Sequence, residues 1–126
     1  MQVPEELRYT QEHEWLADRG DAVRVGITDY AQDALGDVVY VDLPAVGAVV
    51  EAGGVLGEVE STKSVSEIYA PVAGTVVAVN EALSSSPEQV NREPYGAGWL
   101  CDIRPADPDA AAGLLDAAGY RQLVDS

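Results

Sequence analysis

Residues 57–74 read GEVESTKSVSEIYAPVAG. Two strand-like runs, VLGEVES (55–61) and SVSEIYA (64–70), are separated there by only Thr62 and Lys63. A connection that short between alternating runs predicts a β-hairpin with Lys63 at its tip. The turn lacks an Asn-Gly or Asp-Gly pair, which leaves its type open. Lys63 is also the only lysine among 126 residues; the other basic residues are Arg8, Arg19, Arg24, Arg92, Arg104 and Arg121. An ammonium can lose its proton and be acylated, whereas a guanidinium stays protonated. A hairpin tip holds the side chain outward, within reach of another enzyme. Glu58, Glu60 and Glu67 lie close by in sequence, and negative charge favours the ammonium form. A Schiff-base lysine needs the opposite surroundings. The residues therefore point to a lysine acylated by an outside enzyme. The plainer alternative is a solvated lysine on a structural β-domain.

Outward from the hairpin, AVRVGIT (22–28) alternates as a half-buried strand does. Asp29 with Gln32 reads as a capping box and Gly36 as the helix stop. DVVYVDL (37–43), AVVEA (48–52), TVVAVN (75–80) and WLCDI (99–103) read as further strands. Ser86 with Gln89 reads as a second capping box, with Pro87 at the first helical position. Asp107-Pro108 opens an Ala- and Leu-rich tail that Gly113 and Gly119 divide into two short helices. Core candidates are Val23, Val25, Ile27, Val39, Val41, Val59 and Val76. The expectation is one domain, residues 1–126, mainly β. Its antiparallel sheets would form a flattened barrel-sandwich hybrid with short helices, two of them at the C-terminus. VVEAGGVLGEVES before the lysine and SVSEIYAPVAGTVVAV after it are weakly alike, which fits a pseudo-twofold arrangement with Lys63 near the axis.

The formal net charge is −15 and no basic cluster occurs. Such a surface repels nucleic acid, and it suits partners with basic docking surfaces. The single cysteine, Cys101, excludes an internal disulfide and reads as a small buried hydrophobe. No apolar run approaches the ~20 residues of a membrane span. MQVPEELRYT has neither the basic nor the apolar region of a signal peptide, so the sequence reads as cytoplasmic. His13, the sole histidine, sits in EHEW between Glu12 and Glu14. It lacks the partners of a catalytic triad, and one histidine with one cysteine makes no metal site. A structural histidine bonded to a carboxylate or to backbone is expected. Trp15 and Trp99 read as packing residues, and Tyr95-Gly96 with Gly98 as a tight loop. No catalytic or metal-binding residue is expected.

Four segments carry a family resemblance: RYTQEHEWL (8–16), VGITDYAQDALGDVVYVDLP (25–44), GEVESTKSVSEIYAPVAGTVVAVN (57–80) and NREPYGAGWL (91–100). In this order and spacing they resemble the motifs of the H proteins of the glycine cleavage system, over nearly the whole chain. The resemblance implies a lipoyl-domain-like fold and lipoate in amide linkage on Lys63. It implies a non-catalytic carrier that shuttles the aminomethyl group of glycine between three enzymes. These are the glycine decarboxylase (P protein), the aminomethyltransferase (T protein) and the dihydrolipoamide dehydrogenase (L protein). Lipoate-attaching enzymes would be further partners, with no nucleic acid and no membrane. It also implies that the loaded arm docks on the carrier's own surface, at the positions of Glu14 and Glu67. Glu12 is a further candidate, outside the family's required pattern.

Three related readings compete. A biotinyl carrier sets its lysine between methionines; here Thr62 and Ser64 flank it, and Met1 is the only methionine. A lipoyl domain of a 2-oxoacid dehydrogenase is shorter and is followed by a flexible linker. An H-like protein that relays lipoyl groups to other enzymes shares both fold and lysine, and stays open on sequence.

Overall fold

The structure, a computed structural model, describes residues 1–125. Its strands are β1 (Arg8–Tyr9), β2 (Glu14–Asp18), β3 (Val23–Ile27), β4 (Val38–Asp42), β5 (Val49–Val50), β6 (Val55–Ser61), β7 (Val65–Tyr69), β8 (Gly74–Val79) and β9 (Cys101–Pro105). The α-helices are α1 (Asp29–Leu35), α2 (Gln89–Arg92) and α3 (Ala117–Asp125). Two sheets form, one of six strands in the order β1-β2-β3-β9-β8-β5 and one of three in the order β4-β6-β7. Every strand pairing in both is antiparallel. The fold is thus mainly β, with two unclosed antiparallel sheets and short helices, as the sequence predicts.

The hairpin around Lys63 joins the two sheets. Val49 pairs with Thr75, Val55 with Tyr69 and Glu60 with Val65, so the partners lie at matching distances either side of the 62–63 turn. β6 and β7, nearest the turn, belong to the three-stranded sheet, and β5 and β8, further out, to the six-stranded one. The weak likeness of the two flanking stretches corresponds to one long hairpin that passes from sheet to sheet.

Alternation then fills the space between the sheets. Val25, Val59, Val76 and Ile103 are fully buried in the main core cluster. A second cluster gathers Tyr9, Trp15 and Tyr120 under α3. Val23, Val25, Ile27, Val41, Val59 and Val76 are core residues as expected, but Val39 is not, being 48% exposed. A register shift between Val38 and Tyr40 in the β4–β6 pairing moves the inward position to Val38, which is buried. A bulge inserts one unpaired residue, and the alternation cannot show that.

The helix ends correct other readings. Thr28, not Asp29, caps α1: its hydroxyl accepts from the Ala31 N–H at 3.2 Å. Asp29 is the first helical residue, and its carboxylate accepts from the Gln32 side-chain amide at 2.8 Å. Ser86 makes no capping box, because its carbonyl and not its hydroxyl meets the Gln89 N–H. In the tail, Ala110–Gly113 is only a 3₁₀ turn, and Gly119 lies inside α3 rather than at a break. The Asp116 carboxylate accepts from the Gly119 N–H at 2.8 Å, so α3 starts from that cap. The last strand starts at Cys101, after Trp99 and Leu100.

Candidate functional site

No glycine makes the 61–64 turn; a serine does. The Ser61 N–H donates to the Ser64 carbonyl at 2.8 Å, and Ser61 Oγ accepts from the backbone N–H groups of Lys63 and Ser64, both at 3.1 Å. A third support comes from outside the hairpin, where the Thr62 N–H donates to the Asp37 carbonyl at 3.0 Å. Local side-chain bonding of this kind substitutes for the Asn-Gly chemistry that the sequence lacks.

Lys63 is exposed at the tip. Among the described residues its ammonium has no ion-pair or hydrogen-bond partner. Glu58, Glu60 and Glu67 are exposed on β6 and β7, and none of them reaches it. The aliphatic stem lies against Gly36: a β-carbon placed there would be 3.2 Å from Lys63 Cε. Gly36 also has φ 83°, in the left-handed region that favours glycine. The residue that stops α1 therefore also serves as the floor under the lysine.

Beside the turn, α1 and β7 enclose a cleft of about 260 Å³, with Ala31 and Leu35 on one wall and Ser66 and Glu67 on the other. Glu12 and His13 also line it. The lining includes two carboxylates, Glu12 and Glu67, and neither lysine nor arginine. Two of the three predicted docking carboxylates thus meet in one cleft, and Ser64, next to Lys63, lines it too.

Glu14 stands elsewhere. It is 2% exposed, does not line the cleft, and is held by protein groups. The Thr10 hydroxyl donates to Oε1 at 2.6 Å and the Tyr69 N–H to Oε2 at 3.3 Å. Burial raises its pKa from the ordinary 4.5, while these two donors oppose the rise.

His13 bonds to a side-chain hydroxyl, not to the carboxylate or backbone the sequence suggested. Its Nδ1 lies 2.8 Å from the Tyr120 hydroxyl, which also meets the Thr28 hydroxyl at 2.7 Å. The Tyr30 ring lies against it, centroid to centroid 4.7 Å. Burial lowers the His13 pKa from the ordinary 6.5, and Glu12 works against that. Cys101 is buried, with its thiol pushed up to about 12 by burial, which leaves it protonated and inert. Trp15 is buried and donates from Nε1 to the Pro94 carbonyl at 2.9 Å. Trp99 carries the Arg24 guanidinium 3.8 Å from a ring centroid.

Sequence reasoning missed Ser61, Thr28, Tyr120 and Asn91, all bound to functional segments through hydrogen bonds. Ser61 alone left a signal, as a hydroxyl residue entering a turn without glycine.

Residues 7–126 match the family described as glycine cleavage H-protein. A glycine cleavage system H protein of Micrococcus luteus is 63% identical over 120 residues, covering 94% of this chain and 94% of that protein. One from Thermus thermophilus is 56% identical over 126 residues, covering 100% of this chain and 98% of that protein. The crystal structure of a glycine cleavage system H protein from Mycobacterium marinum superimposes with a TM-score of 0.89 at 45% identity. That match covers 98% of this chain and 100% of the other.

Proposed function

The chain belongs to the glycine cleavage H-protein family, and on that premise we propose that it is the lipoyl carrier of the glycine cleavage system, with lipoate attached to Lys63. The observation that carries this reading is the placement of the one lysine. It sits at the tip of a braced two-residue turn, exposed, with its ammonium free of partners among the described residues. An amine so presented reaches the active site of an attaching enzyme without unfolding of its own domain. When bound, lipoate supplies a dithiolane that accepts electrons and a transferable group, at the end of an arm of roughly 14 Å by ordinary bond lengths.

The chain's own residues supply position and recognition. Ser61, Asp37 and Gly36 fix where the lysine stem begins. The cleft lined by Glu12 and Glu67 lies beside the turn and presents negative charge to a cationic amine, which matches the amine that an aminomethyl-bearing arm would carry. Partial enclosure screens such a pair less than open solvent does. Glu14, already engaged by Thr10 and Tyr69, ties β2 to β7, the strand that carries Glu67. The acidic surface suits docking to basic surfaces on the glycine decarboxylase, the aminomethyltransferase and the dihydrolipoamide dehydrogenase. In this reading the chain is a carrier without catalysis of its own. Among the described residues, no helix is long and apolar enough to cross a membrane.

The test is reconstitution. The lipoylated chain, mixed with glycine and a glycine decarboxylase of this system, should support CO₂ release. The Lys63→Arg chain, folded to the same extent, should support none. Release by the Arg variant at the unsubstituted rate would overturn the assignment.

A further inference from the structure

The lysine turn is held from outside its own hairpin, and the holding group is itself held by a side chain distant in sequence. The Thr62 N–H donates to the Asp37 carbonyl, and Lys63 rests on Gly36. Gly36 and Asp37 link α1 to Val38, the first residue of β4. Nothing in that link is rigid by itself: Gly36 is the most permissive residue available, and Asp37 is exposed.

Asn91, in α2, satisfies the link on both sides. Its Oδ1 accepts from the Val38 N–H at 2.8 Å, and its Nδ2 donates to the Gly36 carbonyl at 2.8 Å. The second Nδ2 hydrogen goes to Gln32 Oε1 at 3.1 Å, tying the same amide to α1. One partly buried side chain thus spans residues 36 and 38 like a bracket, with the carbonyl that receives Thr62 lying between them. All three bonds together call for a side-chain amide. It offers an acceptor and two donors in one plane, where a carboxylate has no donor and an ammonium no acceptor.

We propose that Asn91 is a positioning residue for Lys63, acting through the 36–38 link to hold the turn that presents the amine for acylation. The inference rests on the reading that Lys63 is lipoylated. Its chemistry is amide formation between the lipoate carboxyl and the lysine amine, with ATP cleaved to AMP and pyrophosphate at the attaching enzyme. Asn91 touches none of those atoms. It sets where the nucleophile sits, and displacement of a reacting group by about an ångström can slow a reaction by up to ~100-fold.

The experiment compares the unsubstituted chain with Asn91→Ala, Asn91→Asp and Gly36→Ala, each confirmed folded by its proton NMR spectrum. Lipoylation by a lipoate–protein ligase with lipoate and ATP is followed by intact mass, and amide exchange of Thr62 by NMR. Asn91→Ala should lower kcat/KM for lipoylation on the order of tenfold. It should speed Thr62 exchange by roughly tenfold while sparing Ser64, whose N–H is held by Ser61 within the hairpin. Asn91→Asp keeps the acceptor for Val38 but sets a carboxylate oxygen against the Gly36 carbonyl, so it too should slow lipoylation. Gly36→Ala should slow lipoylation by pushing on the stem, through strain at φ 83° and contact with Cε. Unchanged Thr62 exchange in Asn91→Ala, or lipoylation of the Asn91 variants at the unsubstituted rate, would overturn the proposal. Failure of the unsubstituted chain to gain a lipoyl group at Lys63 would instead refute the carrier reading. Thr62 exchange then still decides whether Asn91 holds the turn.

Discussion

Glu14 on β2 accepts the backbone N–H of Tyr69 on β7 at 3.3 Å, and so joins the six-stranded sheet to the three-stranded one beside the cleft. Removing the carboxyl group strands two donors, the Tyr69 N–H and the Thr10 hydroxyl. Glu14→Ala should therefore destabilise the fold by about 1–3 kcal/mol, and Glu14→Gln by less, measured by urea denaturation. Because burial raises its pKa, the folded chain holds this proton more tightly than the unfolded chain. The contribution of Glu14 to stability should thus decline as pH rises from 4.5 through the folded-state value. Glu14→Gln should lack that decline, and an identical pH dependence in both chains would contradict the assignment.

The cleft carboxylates should matter to a loaded arm. With partner enzymes removed, Glu67→Gln and Glu12→Gln should each shorten the lifetime of the aminomethyl-loaded carrier, read as formaldehyde release. Glu14→Gln should act in the same direction through the cleft's support. Lipoylation of Lys63 should be unaffected in all three. Lifetimes equal to that of the unsubstituted carrier throughout would remove these residues from the account.

Three exposed carboxylates stand in one row across the three-stranded sheet, since Asp42 pairs with Glu58 and Glu58 with Glu67. Like charges directly opposite each other on paired strands are destabilising. Glu58→Lys should raise the thermal midpoint, most at low salt, because added salt screens the repulsion it relieves. A lower midpoint would mean that the row carries no strain.

His13 is the only histidine, so its titration is a single resolvable NMR signal. Its midpoint should fall below 6.5, because burial disfavours the cation. The unfolded chain then accepts a proton that the folded chain resists. Stability linked to His13 is full above 6.5 and is lost as pH falls toward the folded-state value. Its φ of 72° should also make His13→Asn better tolerated than His13→Val, by about 1–3 kcal/mol. A midpoint above 6.5 would contradict the burial argument.

The hairpin and its lysine were legible because a two-residue gap between alternating runs has few other solutions. The β3 core was legible for the same reason: Val23, Val25 and Ile27 alternate and are buried. Val39 was misplaced because a bulge shifts pairing without leaving a mark in the polarity pattern. Gly26 shows no pattern of its own in the sequence, yet Trp15 stands opposite it and a β-carbon there would lie 2.5 Å from the indole. The docking carboxylates divided, since Glu12 and Glu67 line the cleft while Glu14, only two residues from Glu12, turns inward. In a strand the face depends on register, and β2 begins at Glu14. The bracket formed by Asn91 links positions more than 50 residues apart, and local pattern contains nothing of such contacts.

The most direct test is intact mass of the chain purified from its native host, unsubstituted and as Lys63→Arg, with peptide mapping of any adduct. The account predicts one lipoyl group per chain, mapped to Lys63, and an unmodified Lys63→Arg chain that keeps its fold. A lipoyl group at another position, or an unmodified Lys63 in a host that lipoylates its other carriers, would contradict it.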